Sequence, residues 1–171
     1  MTVHFADRKD TPSSSVRPGK VPFHQVLAQS TTLFLTLPLT PNTTNLLSTP
    51  EFSLMRPDAL LINVARGGIV DEEALIGALE EGKIGGAASD VFFEEPAGVG
   101  NSVLVRKGRE WGEGVRNREG GAKGDEGRLN GRLVLSPHIA WWARSSIEKL
   151  RGTVAGNIEA WTQGEPKNIV V

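Results

Sequence analysis

The stretch that decides the fold is Ala59-Leu60-Leu61-Ile62-Asn63-Val64-Ala65-Arg66-Gly67-Gly68-Ile69-Val70-Asp71. Ala59 to Val64 runs apolar but for Asn63 up to an Ala-Arg-Gly-Gly turn. A strand apolar on both faces belongs inside a sheet covered on both sides, which usually means a parallel one. Asp71 then caps a helix, with Glu72 and Glu73 in the first turn where the helix dipole favours acids. Ala74, Leu75, Ala78 and Leu79 give that helix one apolar stripe, and Gly82 ends it. Strand, turn and helix in this order form the repeating unit of an α/β sheet.

The same alternation extends in both directions. Upstream, Val3-His4-Phe5-Ala6 reads as a short strand closed by Asp7, residues 8–20 have loop composition, and Pro22 to Gln29 fits a helix burying Phe23, Val26 and Leu27. Thr31 to Leu37 reads as a buried strand stopped by Pro38 and Pro41. Ser48-Thr49-Pro50-Glu51 is a helix start. Downstream, Gly85 to Val91 and Leu133 to Leu135 read as strands. Ile147, Leu150, Val154, Ile158 and Trp161 step by threes and fours, which predicts a long amphipathic helix over 143–163. Residues 97–132, dominated by Gly, Arg, Glu and Lys without a period, read as a disordered insertion between 1–96 and 133–171.

Composition narrows the function classes. The 171 residues carry 19 Lys plus Arg against 20 Asp plus Glu, a net charge of −1, which argues against a nucleic-acid or acidic-membrane binder. The chain has no cysteine, so disulfides, a thiol nucleophile and thiolate metal sites are excluded. Its three histidines, His4, His24 and His138, are too scattered to form a metal cluster without help from carboxylates, and no metal site is expected. The start of the chain shows no targeting segment, and no apolar run approaches the ~20 residues that span a bilayer. A cytoplasmic location is the expectation.

In an open α/β sheet, ligands sit at the carboxyl ends of the strands. Arg66 stands at one such end, where a guanidinium can hold a carboxylate through two hydrogen bonds. Gly67 and Gly68 beside it let a ligand approach the backbone. Asp90-Val91-Phe92-Phe93-Glu94-Glu95-Pro96 ends a second strand in acids, and Ser136-Pro137-His138 follows a third. His138 is suited to acid–base work near neutral pH. Each feature also has a plain structural reading: an Arg in a tight turn, a solvated Glu pair, a structural His. Asp7, ending the first strand, reads either as a turn residue or as a ribose-binding acid of a dinucleotide fold.

With Arg66, Glu95 and His138 in place, the chain resembles the D-isomer-specific 2-hydroxyacid dehydrogenases, within them the glycerate dehydrogenase/hydroxypyruvate reductase type. The resemblance is carried by Pro38 to Leu47, Leu61 to Leu75, Asp90-Val91-Phe92 with Glu95-Pro96, and Pro137-His138-Ile139-Ala140-Trp141. It implies a Rossmann-like, doubly wound parallel sheet and an NAD-dependent oxidoreductase, with NADP as the alternative cofactor. The substrate would be a D-2-hydroxy acid: D-glycerate/hydroxypyruvate or glyoxylate. It further implies that His138 is the general acid/base, Glu95 its hydrogen-bond partner and Arg66 the substrate-carboxylate ligand. Asp90, Val64, Ala65, Arg66 and His138 would then surround the nicotinamide end, while Asp7, Leu37, Pro38 and Thr43 would serve the rest of the cofactor. A homodimer is implied as well.

One part of the family pattern is missing. No Gly-x-Gly-x-x-Gly turn occurs, and the strand ending at Asp7 is preceded by Met1 and Thr2 alone. The expectation is therefore a partial sheet lacking its first strand and glycine-rich turn, in an N-terminally truncated chain. The alternative function is a catalytically inactive relic or a non-catalytic interaction module.

Overall fold

In the computed structural model, residues 1–116 and 131–169 are described, with side chains to 112 in the first stretch. The chain divides into two compact units, Met1–Pro137 and His138–Val171, each treated on its own.

The first unit is built on a four-stranded, all-parallel sheet. Its strands are β1 (Thr32–Leu35), β2 (Leu60–Asn63), β3 (Gly86–Ser89) and β4 (Leu133–Leu135), ordered β1-β2-β3-β4. The helices are α1 (Phe23–Gln29), α2 (Thr49–Phe52), α3 (Glu72–Glu80) and α4 (Val103–Arg116). Because α2 packs on α3 and α3 on α4, the crossover helices form one layer. Leu35, Leu61 and Ala87 point into that layer, where Leu47, Phe52, Ile69, Leu79, Ile84 and Leu104 make the core.

The local signals explain the elements. Ser48 and Glu51 close a reciprocal capping box on α2, and Asp71 accepts from the Ala74 N–H to start α3. Ser48 Oγ donates to Asp71 Oδ2 at 3.0 Å, so the two helix starts hold each other. Gly82, at φ 71°, ends α3 in the left-handed conformation that glycine adopts without strain.

Three expectations are corrected. First, Val3-His4-Phe5-Ala6 is not a full strand: it makes a single parallel bridge, Ala6 to Val21. Second, the stretch 97–132 is not structureless where it is described. Val103 to Arg116 is helical, and Val103 and Leu104 are buried in the core. Residues 117–130 lie outside the described part. Arg132 re-enters the sheet by donating from Nε to the Gly85 carbonyl at 2.9 Å, and from Nη2 to that of Ile84. Third, β2 is not covered on both faces. Leu61 and Asn63 are buried, whereas Leu60 is 47% exposed. By the strand register Phe34, Ile62, Ala88 and Val134 form one row across this second face, and Phe34 and Val134 are about 60% exposed.

Asp7 shows what anchors the amino-terminal loop. Its carboxylate accepts Arg17 Nε at 2.9 Å, Arg17 Nη2 at 2.5 Å, and the Arg17 and Arg8 backbone N–H groups at 2.8 Å each. The Arg17 guanidinium, followed by the Arg17 N–H, holds the Asp7 carboxyl well below the usual carboxylate range. Lys9 reaches Glu51 Oε1 at 2.8 Å. Burial pushes Glu51 up, but Lys9 and the Ser48 N–H outweigh it and the net shift is down.

A depressed folded-state pKa contributes stability above the unfolded value, about 3.9 for Asp, and loses it as pH falls through the folded value. The gap in urea midpoint between wild type and Asp7→Asn should therefore be wide at pH 7 and narrow progressively below about pH 4. A gap independent of pH would remove the Asp7–Arg17 ion pair as its cause.

The second unit holds α5 (Arg144–Thr162), in agreement with the helix expected over 143–163. Of its residues, Ala160 is buried, and Leu150, Val154, Ile158 and Trp161 are exposed. Among the described residues no helix is long and apolar enough to cross a membrane.

Candidate active site

The parallel register aligns Asn63 with Ser89 and Ser89 with Leu135, so three neighbouring strands end side by side. The loop after β2 carries Arg66. Asn63, a polar residue 4% exposed at the strand end, folds its side chain back over this loop. Its Oδ1 accepts the Ala65 N–H at 3.1 Å and its Nδ2 donates to the Arg66 carbonyl at 3.2 Å. The Arg66 side chain is exposed, and its Nη1 donates to the Ala65 carbonyl at 2.7 Å.

The loop after β3 packs directly on this one. A methyl group on Gly67 would fall 1.7 Å from the Phe92 carbonyl oxygen, so the two backbones meet where the side chain is missing. This close approach brings the Arg66 loop against the Glu95 loop. Ser89 Oγ donates to the Val91 carbonyl at 2.7 Å, and Glu95 Oε1 accepts the Phe92 N–H at 3.0 Å. Asp90 is buried and accepts Ser136 Oγ at 2.5 Å, which ties the end of β3 to the end of β4. The Asp90 N–H donates to the Asn63 carbonyl at 3.0 Å, so Asn63 supports both loops.

Leu37, Pro38 and Thr43 lie on the turn after β1. The Thr43 hydroxyl is occupied within it, accepting the Thr40 N–H at 2.7 Å and donating to the Pro38 carbonyl at 2.8 Å. The turn is pinned to the segment after Arg66 by the Asn45 N–H on the Gly68 carbonyl, at 2.8 Å. Val64 is 41% exposed beside Arg66, and Ala65 is buried. Asp7 stands apart: its side chain is 1% exposed, and both carboxylate oxygens serve its own loop.

In the second unit His138 has φ 53°, and the Trp141 indole N–H donates to the His138 carbonyl at 2.8 Å. The described residues contain no group of three or more His, Cys, Asp or Glu able to hold a metal ion. Sequence reasoning did not single out Asn63, Ser136 or Glu72. The signal for Asn63 was present, since it is the polar residue in an otherwise apolar strand.

Residues 1–108 match the family model described as the D-isomer specific 2-hydroxyacid dehydrogenase, NAD binding domain. The chain belongs to this family. It is 36% identical over 152 residues to the glycerate dehydrogenase of Methylorubrum extorquens, covering 89% of this chain and 41% of that protein. It is 44% identical over 158 residues to the glyoxylate reductase of Thermococcus gammatolerans, covering 92% and 40%. Among solved structures, the D-lactate dehydrogenase of Lactobacillus jensenii with NAD+ superposes with a TM-score of 0.66 at 27% identity, over 89% of this chain and 42% of that one. The chain thus spans less than half the length of these relatives.

The residues present fit one end of NAD better than the other. Around Arg66 a glycine pair, exposed Val64 and buried Asp90 line the strand ends. No Gly-x-Gly-x-x-Gly turn stands in the sequence to cradle the pyrophosphate, and Asp7 is already engaged by Arg17.

Proposed function

We propose that this chain carries the nicotinamide-side half of an NAD-dependent oxidoreductase acting on the CH–OH group of a D-2-hydroxy acid, D-glycerate/hydroxypyruvate or glyoxylate. The observation that supports it most is the backbone contact at Gly67, which sets the Arg66 loop against the Glu95 loop at the carboxyl ends of adjacent parallel strands. When bound, nicotinamide would supply the hydride acceptor for oxidation of the substrate carbon. Arg66 holds the substrate carboxylate and polarises the reacting carbonyl. His138 takes the hydroxyl proton as hydride departs and returns one in the reverse direction. Glu95 fixes the imidazole tautomer and stabilises its protonated form. Asp90, itself oriented by Ser136, faces the carboxamide end of the cofactor. A cytoplasmic location and a homodimer belong to the same proposal.

The test is NADH-dependent reduction of hydroxypyruvate and glyoxylate by the purified chain, with NADH binding followed by fluorescence. Arg66→Gln should raise KM for the oxo acid about 10- to 100-fold, the size of a charged hydrogen-bond pair. His138→Ala should lower kcat by about 10²–10⁴-fold and spare NADH binding. An unchanged KM in Arg66→Gln, or an unchanged kcat in His138→Ala, removes the role assigned to that residue.

A second reading is a non-catalytic module that retains the half-fold. The engagement of Asp7 by Arg17 favours it, because an anchoring carboxylate is then not offered to a ribose. Absence of saturable NADH binding would decide for it.

A further inference from the structure

Glu72 is a carboxylate beside the site that takes no part in the chemistry proposed above. Glu72 opens α3 directly after the Asp71 cap, on the segment that continues from Arg66-Gly67-Gly68. It does not point into solvent as first-turn helix acids commonly do. Its Oε1 accepts the Phe93 N–H at 2.8 Å, and its Oε2 lies 3.5 Å from Ser102 Oγ. Ser102 is buried, and its hydroxyl accepts the Val105 N–H at 3.4 Å in the first turn of α4. Burial pushes the Glu72 carboxyl up, against the opposite pull of the Phe93 N–H and Ser102.

Consecutive amides of the β3 loop are therefore held by two different carboxylates. Phe92 N–H goes to Glu95, from within the loop, and Phe93 N–H goes to Glu72, from α3. Ser89 Oγ on the Val91 carbonyl is also internal, while the Asp90 N–H on the Asn63 carbonyl and Ser136 Oγ on Asp90 hold the start of the loop to the ends of β2 and β4. Internal bonds fix the loop's shape but not its place. Beyond Asp90, the bond from Glu72 ties the loop at Phe93, nearer to Glu95, to the segment that continues from Arg66, at the side where Gly67 admits the Phe92 backbone.

We propose that Glu72 is a positioning residue: through the Phe93 N–H it sets where the Glu95 loop stands relative to Arg66. The inference rests on the function proposed above for Arg66 and Glu95. It requires an acceptor oxygen at this reach and does not require its charge.

Three full-chain variants separate these demands. Glu72→Gln keeps length and an acceptor oxygen, Glu72→Met keeps length and bulk without one, and Glu72→Asp keeps charge but falls a methylene short. Misplacement of a catalytic group by about 1 Å costs roughly 10²-fold. Met and Asp should lower kcat for hydroxypyruvate reduction by about 10- to 100-fold with little change in KM, while Gln should restore kcat to within about threefold of wild type. Amide hydrogen exchange gives a readout independent of turnover. Phe93 N–H should exchange slowly in wild type and Gln and fast in Met and Asp, with Leu79 in α3 protected in all four. Gln behaving like Met, or equal Phe93 protection in every variant, overturns the proposal. A wild-type chain without turnover refutes the proposed function alone, and the exchange pattern then decides for or against Glu72. If Met does not fold, Asp against Gln carries the same comparison.

Discussion

Replacing Gly67 with alanine is expected to destabilise the first unit by roughly 3 kcal/mol or more, lowering the melting temperature by about 10 °C. The added Cβ would lie 1.7 Å from the Phe92 carbonyl oxygen, 2.1 Å from its carbon and 2.7 Å from the Phe93 nitrogen. These are backbone atoms, so no side-chain rotation relieves the overlap, and the two loops have to separate. The Phe93 amide would then part from Glu72 as well. Gly77, in the middle of α3 with open space around it, is the control. Alanine there should be neutral or stabilising by about 0.5–1 kcal/mol, because it lowers the entropy lost on folding. Thermal unfolding followed by circular dichroism compares the two directly. A Gly67→Ala chain melting with wild type would mean that the loops do not touch.

Asn63→Ala is expected to cost about 2 kcal/mol and to weaken substrate binding at the same time. The side chain is buried and bridges the Ala65 N–H and the Arg66 carbonyl, so its removal strands a donor in a buried segment. An unsatisfied buried amide carries its whole desolvation penalty, about 1–3 kcal/mol. The Arg66 loop also loses the brace that sets its direction. Urea denaturation should show the stability loss, and KM for hydroxypyruvate should rise. Full stability with an altered KM would show that the brace serves the site and not the fold.

Much of this architecture was legible in the sequence because its signals are local. Ser48 with Glu51, Asp71 at a cap and Gly82 at a helix end each act within one turn of chain, and each element formed close to its expected bounds. Two failures trace to context that local reading cannot supply. Val3 to Ala6 has the composition of a strand, but a strand needs a partner along its whole length, and among the described residues Val21 alone pairs with it. Residues 103–116 look too polar and glycine-rich to fold, yet Val103 and Leu104 at the helix start are buried in the core, and Val105 and Trp111 pack against it.

The site shows the same division. Arg66, Glu95 and Asp90 were visible because residues of those types follow apolar strands. What holds them was not visible, since Glu72 and Phe93 lie 21 positions apart and Ser136 and Asp90 lie 46 apart. Glu72 also carries an ordinary local explanation, an acid in a first helical turn, which concealed its longer-range bond.

The exposed Phe34 and Val134 on the second face of the sheet have a practical consequence for dye-based unfolding measurements on this chain. Fluorophores such as anilinonaphthalene sulfonate report unfolding by brightening on newly bared apolar surface. Here Phe34 and Val134 are about 60% exposed while the sheet is intact, so the dye is expected to brighten on the native molecule and to report a greasy facet of the folded form rather than its loss.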